Sequence, residues 1–466
     1  MKYEPGSYRA DVFPSAGRSG KNDVQRNRGT SEDRELTQTR DSRDTPAATG
    51  WMREARFGLF VHFGVYSMAA RHEWVRSYEE IGDAEYQRYV DRFDPDLFDA
   101  AEIARTARAA GMRYAVLTTK HHDGFCLWDS AVTEYSSARV CGRDLVAEFV
   151  EAVRAEGLKV GLYHSLLDWH HPDYVIDGVH PLRNAPDVAA LNSDRDMGRY
   201  RSYLHAQVKE LLTSYGQVDL MFYDFTFPWN RGGMPGKGPE DWGSEELLAT
   251  TRALQPGIVV NNRLGIPGDY VTPEQFQPDR PLTEDGVEVM WEACQTLNGS
   301  WGYHRDNLEY KDPGDVVRML VQSVSAGGNM ILNVGPDGRG SLDPRARAIL
   351  DAVGDWMRLH ARAIHGAGPS PFTPPPHAVY TQRDDRLYLH LFAWPFRHIH
   401  LPGLAGKVAY AQLLNDGSEI PLTVLSDTPQ PHAHLDPLPQ PPDTLTLTLP
   451  VVRPDVLVPV VELFLK

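Results

Sequence analysis

The fold is decided around Val218-Asp219-Leu220-Met221-Phe222-Tyr223-Asp224, a mostly apolar run that ends on a carboxylate. A central barrel strand hides its side chains from water, so a carboxylate is tolerated there only at the strand end, where a polar substrate can reach it. Strand ends are also where barrel enzymes keep their catalytic groups. An aspartate that caps the following loop would give the same local pattern. The neighbouring segments therefore decide between a catalytic and a capping role for Asp224.

Five further apolar runs end in polar and aromatic clusters in the same way. The runs are 57–61 before His62-Phe63-Gly64, 114–119 before Lys120-His121-His122-Asp123-Gly124-Phe125, 158–163 before His164-Ser165, 258–260 before Asn261-Asn262-Arg263, and 330–332 before Asn333-Val334-Gly335-Pro336. Between them, apolar residues recur at helical spacing in 100–110, 145–155, 200–214 and 316–326. Strands that alternate with helices imply a parallel sheet joined by crossover helices. We therefore predict an α/β fold, a (β/α)8-like TIM barrel whose active site lies at the carboxyl ends of its strands.

Composition divides the 466 residues into three parts. Residues 1–48 are charged and poor in apolar residues, which predicts a flexible N-terminal arm. The catalytic barrel domain is predicted for 49–366, a length suited to that architecture. After Gly366 a proline-rich stretch leads to segments that alternate apolar and polar residues, such as 386–392. A small antiparallel β-sandwich domain is therefore predicted for 367–466.

Charge and cysteine content limit the partners and the compartment. A formal net charge of −16, from 63 acidic and 47 basic residues, argues against a nucleic-acid-binding surface. The segment Met1 to Tyr8 lacks an apolar signal core, and nowhere do about 18 apolar residues run together. Three cysteines are few and odd in number, which suits a reducing compartment. We expect a cytoplasmic enzyme without a nucleic-acid or membrane partner, and a homo-oligomer remains open.

Six histidines follow or end predicted strands and could converge at one rim of the barrel. They are His62, His121, His122, His164, His170 and His171. Such a cluster could hold zinc or nickel, so a metal-dependent hydrolase is one interpretation. However, no pair has the i, i+4 spacing of a helical metal site, and aromatic residues are interleaved with the clusters. Aromatic faces pack on sugar rings while neutral imidazoles bind hydroxyl groups, so the pattern favours a carbohydrate over a metal.

Five segments combine these clusters with further glycines and aromatic residues: Trp51 to Gly64, Lys120 to Phe125, Gly161 to Trp169, Trp291 to Tyr303 and Gly328 to Pro336. In this order they resemble the α-L-fucosidases of glycoside hydrolase family 29. The resemblance runs from about residue 51 to 366 and leaves residues 1–48 outside it. It implies a barrel with a C-terminal β-sandwich, no cofactor or metal, and hydrolysis of terminal α-L-fucosyl groups through a covalent fucosyl-enzyme intermediate. The substrate would be a fucosylated glycan or a small fucoside, with L-galactosides as the alternative because L-fucose is 6-deoxy-L-galactose.

The resemblance also implies roles for individual residues. Asp224 matches the family's nucleophile. The sugar-binding positions match His62, Glu73, Trp74, His121, His122, Tyr163, Trp169 and Arg263. Two positions depart from the family pattern, since Phe63 replaces a common tryptophan and Phe225 follows the nucleophile where the family often has glycine. Both departures keep an aromatic wall but could change substrate tolerance.

A retaining glycosidase needs a second carboxyl group about 5 to 5.5 Å from the nucleophile, and two glutamates compete for that role. Glu274 lies on the loop after the strand that ends near Arg263, where it can reach over the sugar and stay close to water. Glu292 is predicted to end the next strand, where the aromatic flank of Trp291 could raise its pKa. We favour Glu274, because its spacing from Arg263 resembles bacterial family members. Structural roles remain the alternative, as a turn or cap residue for Glu274 and as a buried, hydrogen-bonded carboxylate for Glu292.

Overall fold

A curled sheet of parallel strands forms the centre of the fold. The computed structural model describes residues 46–284, 286–425 and 438–466. Its first nine strands are β1 (Phe57–Val61), β2 (Tyr114–Lys120), β3 (Lys159–Ser165), β4 (Leu220–Asp224), β5 (Val259–Val260), β6 (Thr283–Glu284), β7 (Val287–Glu288), β8 (Glu292–Thr296) and β9 (Asn329–Val334). Seven of them pair in the order β5-β4-β3-β2-β1-β9-β8, while β6 and β7 form a separate hairpin. The six apolar runs that were predicted to be strands are all found in this sheet.

An irregular segment, 270–274, fills the gap between the two outer strands of this sheet. Tyr270 forms a parallel bridge with Asn261, directly after β5, and Val271 forms one with Trp291, directly before β8. The segment thus takes the position of a further strand, and the sheet has the strand count of a (β/α)8-like barrel. The predicted fold class is confirmed, with one barrel position held by an irregular strand.

The helices cover the outer face of the sheet. Those of the described residues are α1 (Pro46–Ala55), α2 (Val75–Tyr78), α3 (Asp83–Val90), α4 (Ala100–Ala109), α5 (Ser137–Cys141), α6 (Leu145–Ala155), α7 (Val188–Leu191), α8 (Met197–Ser214), α9 (Pro239–Trp242), α10 (Ser244–Leu254), α11 (Pro313–Ser325) and α12 (Pro344–His360). In α6, Phe149, Val150 and Val153 are buried on one stripe, and the Asp144 side chain caps the first turn. The four helices predicted from apolar spacing are confirmed as α4, α6, α8 and α11.

Parallel pairing brings the carboxyl ends of the strands to one rim. Ser165, the last residue of β3, pairs with Asp224, the last residue of β4. Below this rim, the rings of Phe60, Tyr163 and Phe222 contact one another inside the barrel, with centroids 5.2 to 5.8 Å apart. These aromatic rings form the floor of the space above them, and the polar residues after the strands form its walls.

Two antiparallel sheets follow the barrel. Their strands are β10 (Ala378–Arg383), β11 (Arg386–Leu391), β12 (His398–Leu401), β13 (Val408–Leu413), β14 (Leu422–Thr423), β15 (Leu445–Thr448) and β16 (Val460–Leu465), in the orders β10-β11-β16-β13 and β12-β15-β14. Alternate residues of β11, such as Leu387 and Leu389, share a core with Leu445 and Leu447 of the other sheet. The intervening Tyr388 packs into the barrel core instead. The predicted β-sandwich is therefore present, and one of its sheets is buried on both faces.

The predicted N-terminal arm lies outside the described residues, apart from 46–48 at the start of α1. The bounds given for the arm, the barrel domain and the sandwich domain stay predictions. Among the residues that the structure describes, no helix combines the length and apolar character needed to cross a membrane. All three cysteines are free thiols, and Cys126 and Cys294 are buried.

Candidate active site

Asp224 lies at the rim of the barrel, as predicted, and both of its carboxylate oxygens accept hydrogen bonds. The Tyr163 hydroxyl donates to Oδ2 at 2.7 Å, and Arg263 Nη1 donates to Oδ1 at 2.8 Å. The Asp224 side chain is 11% exposed, so it is accessible only from the space above the aromatic floor. Two donors therefore hold the carboxylate in one orientation at the end of a buried strand.

Arg263 joins Asp224 to the first glutamate candidate. It lies in a short 3-10 turn after β5, where its Nη2 pairs with Glu274 Oε2 at 2.7 Å. Its Nε donates to Thr272 Oγ1 at 2.7 Å, and its guanidinium lies over the Phe222 ring. One guanidinium thus binds two carboxylates, one buried and one 41% exposed.

Three of the predicted histidines meet beside Asp224. The ring centroids of His121 and His122 are 4.0 Å apart, and those of His62 and His121 are 5.8 Å apart. His122 Nε2 is 3.9 Å from Asp224 Oδ2, which is too long for a hydrogen bond. A hydroxyl group placed between these two atoms could contact both.

Hydrogen bonds determine which ring nitrogen carries the proton in two of these histidines. Asn333 Nδ2 donates to the Trp301 carbonyl, so Asn333 Oδ1 faces His62 Nδ1 at 2.6 Å and accepts its proton. The Ser165 hydroxyl donates to the Leu167 carbonyl, so Ser165 Oγ accepts from His122 Nδ1 at 2.6 Å. The Nε2 atom of each histidine is therefore a hydrogen-bond acceptor.

Burial keeps these histidines neutral. It lowers the pKa of His62 and of His122 to about 3, and it lowers the pKa of His121 well below its ordinary value. Neutral imidazoles in this arrangement accept hydrogen bonds from hydroxyl groups and do not act as cations.

The expected convergence of all six histidines is wrong. His164 packs against Trp128 on the helix-covered side of the barrel. His170 stacks on Tyr135, and His171 contacts Tyr203 of α8. Each strand-end backbone turns differently, so sequence position alone does not determine which side a side chain faces. In the described part of the chain, no group of three or more His, Cys, Asp and Glu residues is arranged to hold a metal ion.

Aromatic rings form one wall beside His122. The Trp74 ring lies 5.0 Å from that of His122, 5.3 Å from Trp169 and 5.1 Å from Phe225. Phe225 has a φ of 82°, in the left-handed region that glycine tolerates best, which is the conformation expected where related sequences have glycine. The wall combines a predicted pair, Trp74 and Trp169, with one residue that was noted only as a departure.

Glu73 lies beside Trp74 and is almost fully buried. Its Oε2 accepts a hydrogen bond from the Gly302 backbone N–H at 2.8 Å, and burial raises its pKa to about 7. The predicted substrate-binding residues thus lie near the carboxyl ends of the strands or on the loops that follow them, around Asp224. Sequence reasoning missed Asn333, Ser165, Trp301 and Phe222 as site residues. The sequence could have indicated these four residues, since three of them lie in the family motifs and the fourth, Phe222, lies two residues before Asp224.

The expected position of Glu292 is wrong. Strand β8 begins at Glu292, so this residue starts its strand and does not end it, and the hydroxyl of Tyr114, the first residue of β2, donates to its Oε1. Backbone bonds place Glu292 beside the segment that carries Glu274: its N–H donates to the Val271 carbonyl at 2.9 Å, and Cys294, two residues further on, forms a bridge with Glu274. The parallel strand starts only after the hairpin of β6 and β7, which the apolar pattern did not reveal.

Glu292 is fully buried below the aromatic floor. Burial raises its pKa to about 8, and its Oε2 has no hydrogen-bond partner among the described residues. A neutral carboxyl group that accepts from Tyr114 fits this environment. Glu292 is 0% exposed, so it lacks the contact with water that an acid/base needs.

Comparisons with known proteins agree with the function that this geometry suggests. The sequence profile described as Alpha-L-fucosidase matches residues 24–362. The chain belongs to the α-L-fucosidase family. The match begins within the stretch that the sequence motifs had left outside the resemblance, so the family likeness extends further towards the N-terminus than expected.

Several relatives in this α-L-fucosidase family have known structures or curated sequences. The α-L-fucosidase isoenzyme 1 from Paenibacillus thiaminolyticus is 42% identical, with a TM-score of 0.83 over 90% of this chain and 99% of that chain. The tissue α-L-fucosidase of Homo sapiens is 31% identical over 389 residues, which are 76% of this chain and 77% of the human protein. A glycoside hydrolase family 29 enzyme from Bacteroides thetaiotaomicron, solved as a trapped covalent intermediate with 2-fluoro-fucosyl fluoride, is 28% identical with a TM-score of 0.75 over 90% of this chain and 96% of that chain.

These findings confirm the predicted family and the predicted enzyme class. The chain is a glycoside hydrolase of the α-L-fucosidase type, and the family works by a retaining mechanism. The metal-dependent hydrolase is not favoured.

Proposed function

We propose that Asp224 is the nucleophile and Glu274 the acid/base in the hydrolysis of terminal α-L-fucosyl groups. The observation that carries this proposal is the binding of both carboxylates by Arg263. One carboxylate is buried at a strand end and the other is partly exposed on a loop, which are the surroundings that the two roles require. A nucleophile needs a fixed orientation, and an acid/base must exchange protons with water.

In the first step, an Asp224 oxygen attacks the anomeric carbon while Glu274 gives its proton to the glycosidic oxygen. The bond from the anomeric carbon to that oxygen breaks, and a fucosyl ester of Asp224 forms. Tyr163 and Arg263 hold the attacking carboxylate in place before the reaction, so little reorganisation is needed.

In the second step, Glu274 takes a proton from water, which attacks the anomeric carbon and releases Asp224. Two inversions give net retention, so the first product is the α-anomer. The neutral Nε2 atoms of His62 and His122 would accept hydrogen bonds from sugar hydroxyl groups, and Trp74 and Trp169 would pack on the apolar face of the ring.

The experiment that tests this function follows hydrolysis of aryl glycosides by NMR. An aryl α-L-fucoside should release α-L-fucose first, and an aryl α-L-galactoside should be cleaved more slowly. Activity should be unchanged in EDTA. Initial release of the β-anomer would overturn the mechanism, faster cleavage of the galactoside would overturn the sugar specificity, and loss of activity in EDTA would support the metal-dependent alternative.

Two further expectations stay predictions. A cytoplasmic location rests on cysteine usage, and fractionation of the source cells would test it. A homo-oligomer would be detected by light scattering of the purified chain. The α-L-fucosidase family supports a fucosylated substrate, a glycan or a small fucoside.

A further inference from the structure

A second cavity adjoins the proposed sugar pocket. It has a volume of about 300 Å³, and its lining includes Trp74, Tyr78, Arg183, Asn184 and Arg231. The Trp74 ring contacts His122 at 5.0 Å and Tyr78 at 5.7 Å, so one side chain belongs to both the sugar pocket and the cavity. A group attached to the anomeric carbon of a sugar at Asp224 could therefore extend into this cavity.

The loop that follows Asp224 builds one wall of the cavity. Phe227 and Lys237 exchange two backbone hydrogen bonds of 3.0 and 2.9 Å, and Arg231 and Met234 exchange two of 3.0 and 3.1 Å. The loop is therefore a hairpin with Arg231 beside its tip. The nucleophile and this wall lie on one continuous stretch of chain.

The hairpin is fixed against the segment that follows β3. Lys237 Nζ pairs with Asp177 Oδ2 at 2.6 Å, and both side chains are buried. A Cβ atom on Gly178 would lie 2.1 Å from the Arg231 carbonyl oxygen, so only glycine permits this contact. The backbone of Arg231 is held in place, which limits the positions its guanidinium can reach.

The two arginines of the cavity differ in how far they are neutralised. Arg183 Nη1 donates to the Ser77 carbonyl at 2.7 Å, and its Nη2 pairs with Glu80 at 3.2 Å. The Arg231 side chain is exposed and makes no hydrogen bond or ion pair with the residues that the structure describes. In a chain with a net charge of −16, this leaves an unneutralised cation beside the sugar pocket.

We propose that the cavity binds the leaving-group saccharide and favours one that carries an acidic substituent, a carboxylate or a sulfate ester, held by Arg231. The rings of Trp74 and Tyr78 offer faces for the sugar, and the guanidinium supplies charge-assisted hydrogen bonds. The proposal rests on the proposed function, since the leaving group reaches the cavity only when fucose lies at Asp224.

The test compares four substrates at low ionic strength: an aryl α-L-fucoside and three α-L-fucosyl disaccharides, whose leaving sugars are galactose, galacturonic acid and galactose 6-sulfate. At least one acidic disaccharide should have a kcat/KM about tenfold higher than the neutral one. The preference should shrink with added salt. Which acidic substrate is preferred identifies the carboxylate or the sulfate as the ligand.

Arg231→Gln should abolish the preference and leave cleavage of the aryl fucoside unchanged. The matched control is Arg105→Gln, which removes the same charge from an exposed site on α4 and should keep the preference. Equal rates for acidic and neutral disaccharides in the unmodified enzyme would overturn the proposal, and so would a preference that survives Arg231→Gln. Failure to cleave the aryl fucoside would instead overturn the proposed function.

Discussion

Glu274 and Glu292 lie at neighbouring positions of one barrel and differ in access. The Glu274 side chain is 41% exposed and binds the guanidinium that also binds Asp224. Glu292 is fully buried at the start of β8, where Tyr114 donates to it and burial raises its pKa to about 8. A raised pKa is what a general acid requires, yet a carboxyl group that cannot reach the substrate has no use for it. Access of a carboxyl group to the substrate therefore has to be established before its shifted pKa is taken as a sign of catalysis.

The largest effect is expected from Asp224→Ala, because this change removes the proposed nucleophile. The kcat for an aryl α-L-fucoside should fall by roughly 10⁴-fold or more. Azide should restore turnover from the vacated side and give the β-fucosyl azide, identified by NMR. Asp219→Asn is the control, since Asp219 directly precedes β4 and bonds Lys159 and the Val160 N–H at the amino end. Near-normal activity of Asp224→Ala would contradict the retaining assignment.

Glu274→Ala tests the exposed member of the glutamate pair. Substrates with poor leaving groups should react about 10²- to 10⁴-fold more slowly, because protonation of the leaving oxygen is lost. A substrate with a good leaving group should still form the ester, and azide should intercept it to give the α-fucosyl azide.

Glu292→Ala is the matched variant for this experiment. It should show no dependence on the leaving group and no azide product, because the fully buried Glu292 cannot exchange protons with water. If Glu292→Ala gives the α-azide and Glu274→Ala does not, the proposed roles of the two glutamates are reversed.

A smaller loss is expected from the histidines of the rim. His121→Ala or His122→Ala should lower transition-state stabilisation by roughly 2 to 4 kcal/mol, measured from kcat/KM, with the melting temperature largely kept. His164→Ala is the matched control, because this fully buried histidine lies outside the site and should affect stability more than rate. Unfolding of the His121 and His122 variants, with no separate kinetic effect, would indicate purely structural histidines.

The smallest effect on activity, and a measurable effect on stability, is expected from Glu292→Gln. The pKa of Glu292 is about 8 in the folded protein against an ordinary value of 4.5, so the folded state keeps this proton longer than the unfolded state. The wild-type protein therefore loses stability as the pH rises through this window, whereas glutamine cannot ionise. The variant should gain on the order of 2–4 kcal/mol relative to wild type between pH 5 and pH 9, measured by urea unfolding. A difference that does not change with pH would show that Glu292 is ionised in the folded state.

Local sequence was sufficient for the strands and most helices. Apolar runs such as 57–61 and 220–223 can be buried on both faces only in a covered parallel sheet, and helical spacing between them specified the crossovers. The local sequence did not predict that a strand begins at Glu292, and it did not predict the hairpin of β6 and β7. Short and irregular strands carry little periodicity. The local sequence also failed for His164, because the direction of a side chain after a strand depends on the local twist and on register.

The sequence by itself determined the family, the parallel barrel and the strand-end position of Asp224. The spacing of buried residues and the order of the motifs can both be read from residues that are close in sequence. Tertiary structure alone decided that Arg263 binds both Asp224 and Glu274, that Glu292 is fully buried beside Tyr114, and that Arg231 borders a cavity beside Trp74. These relations join residues tens of positions apart through strand register and loop packing. Register fixes which distant residues meet only when all the strands are paired, so no local pattern can contain it.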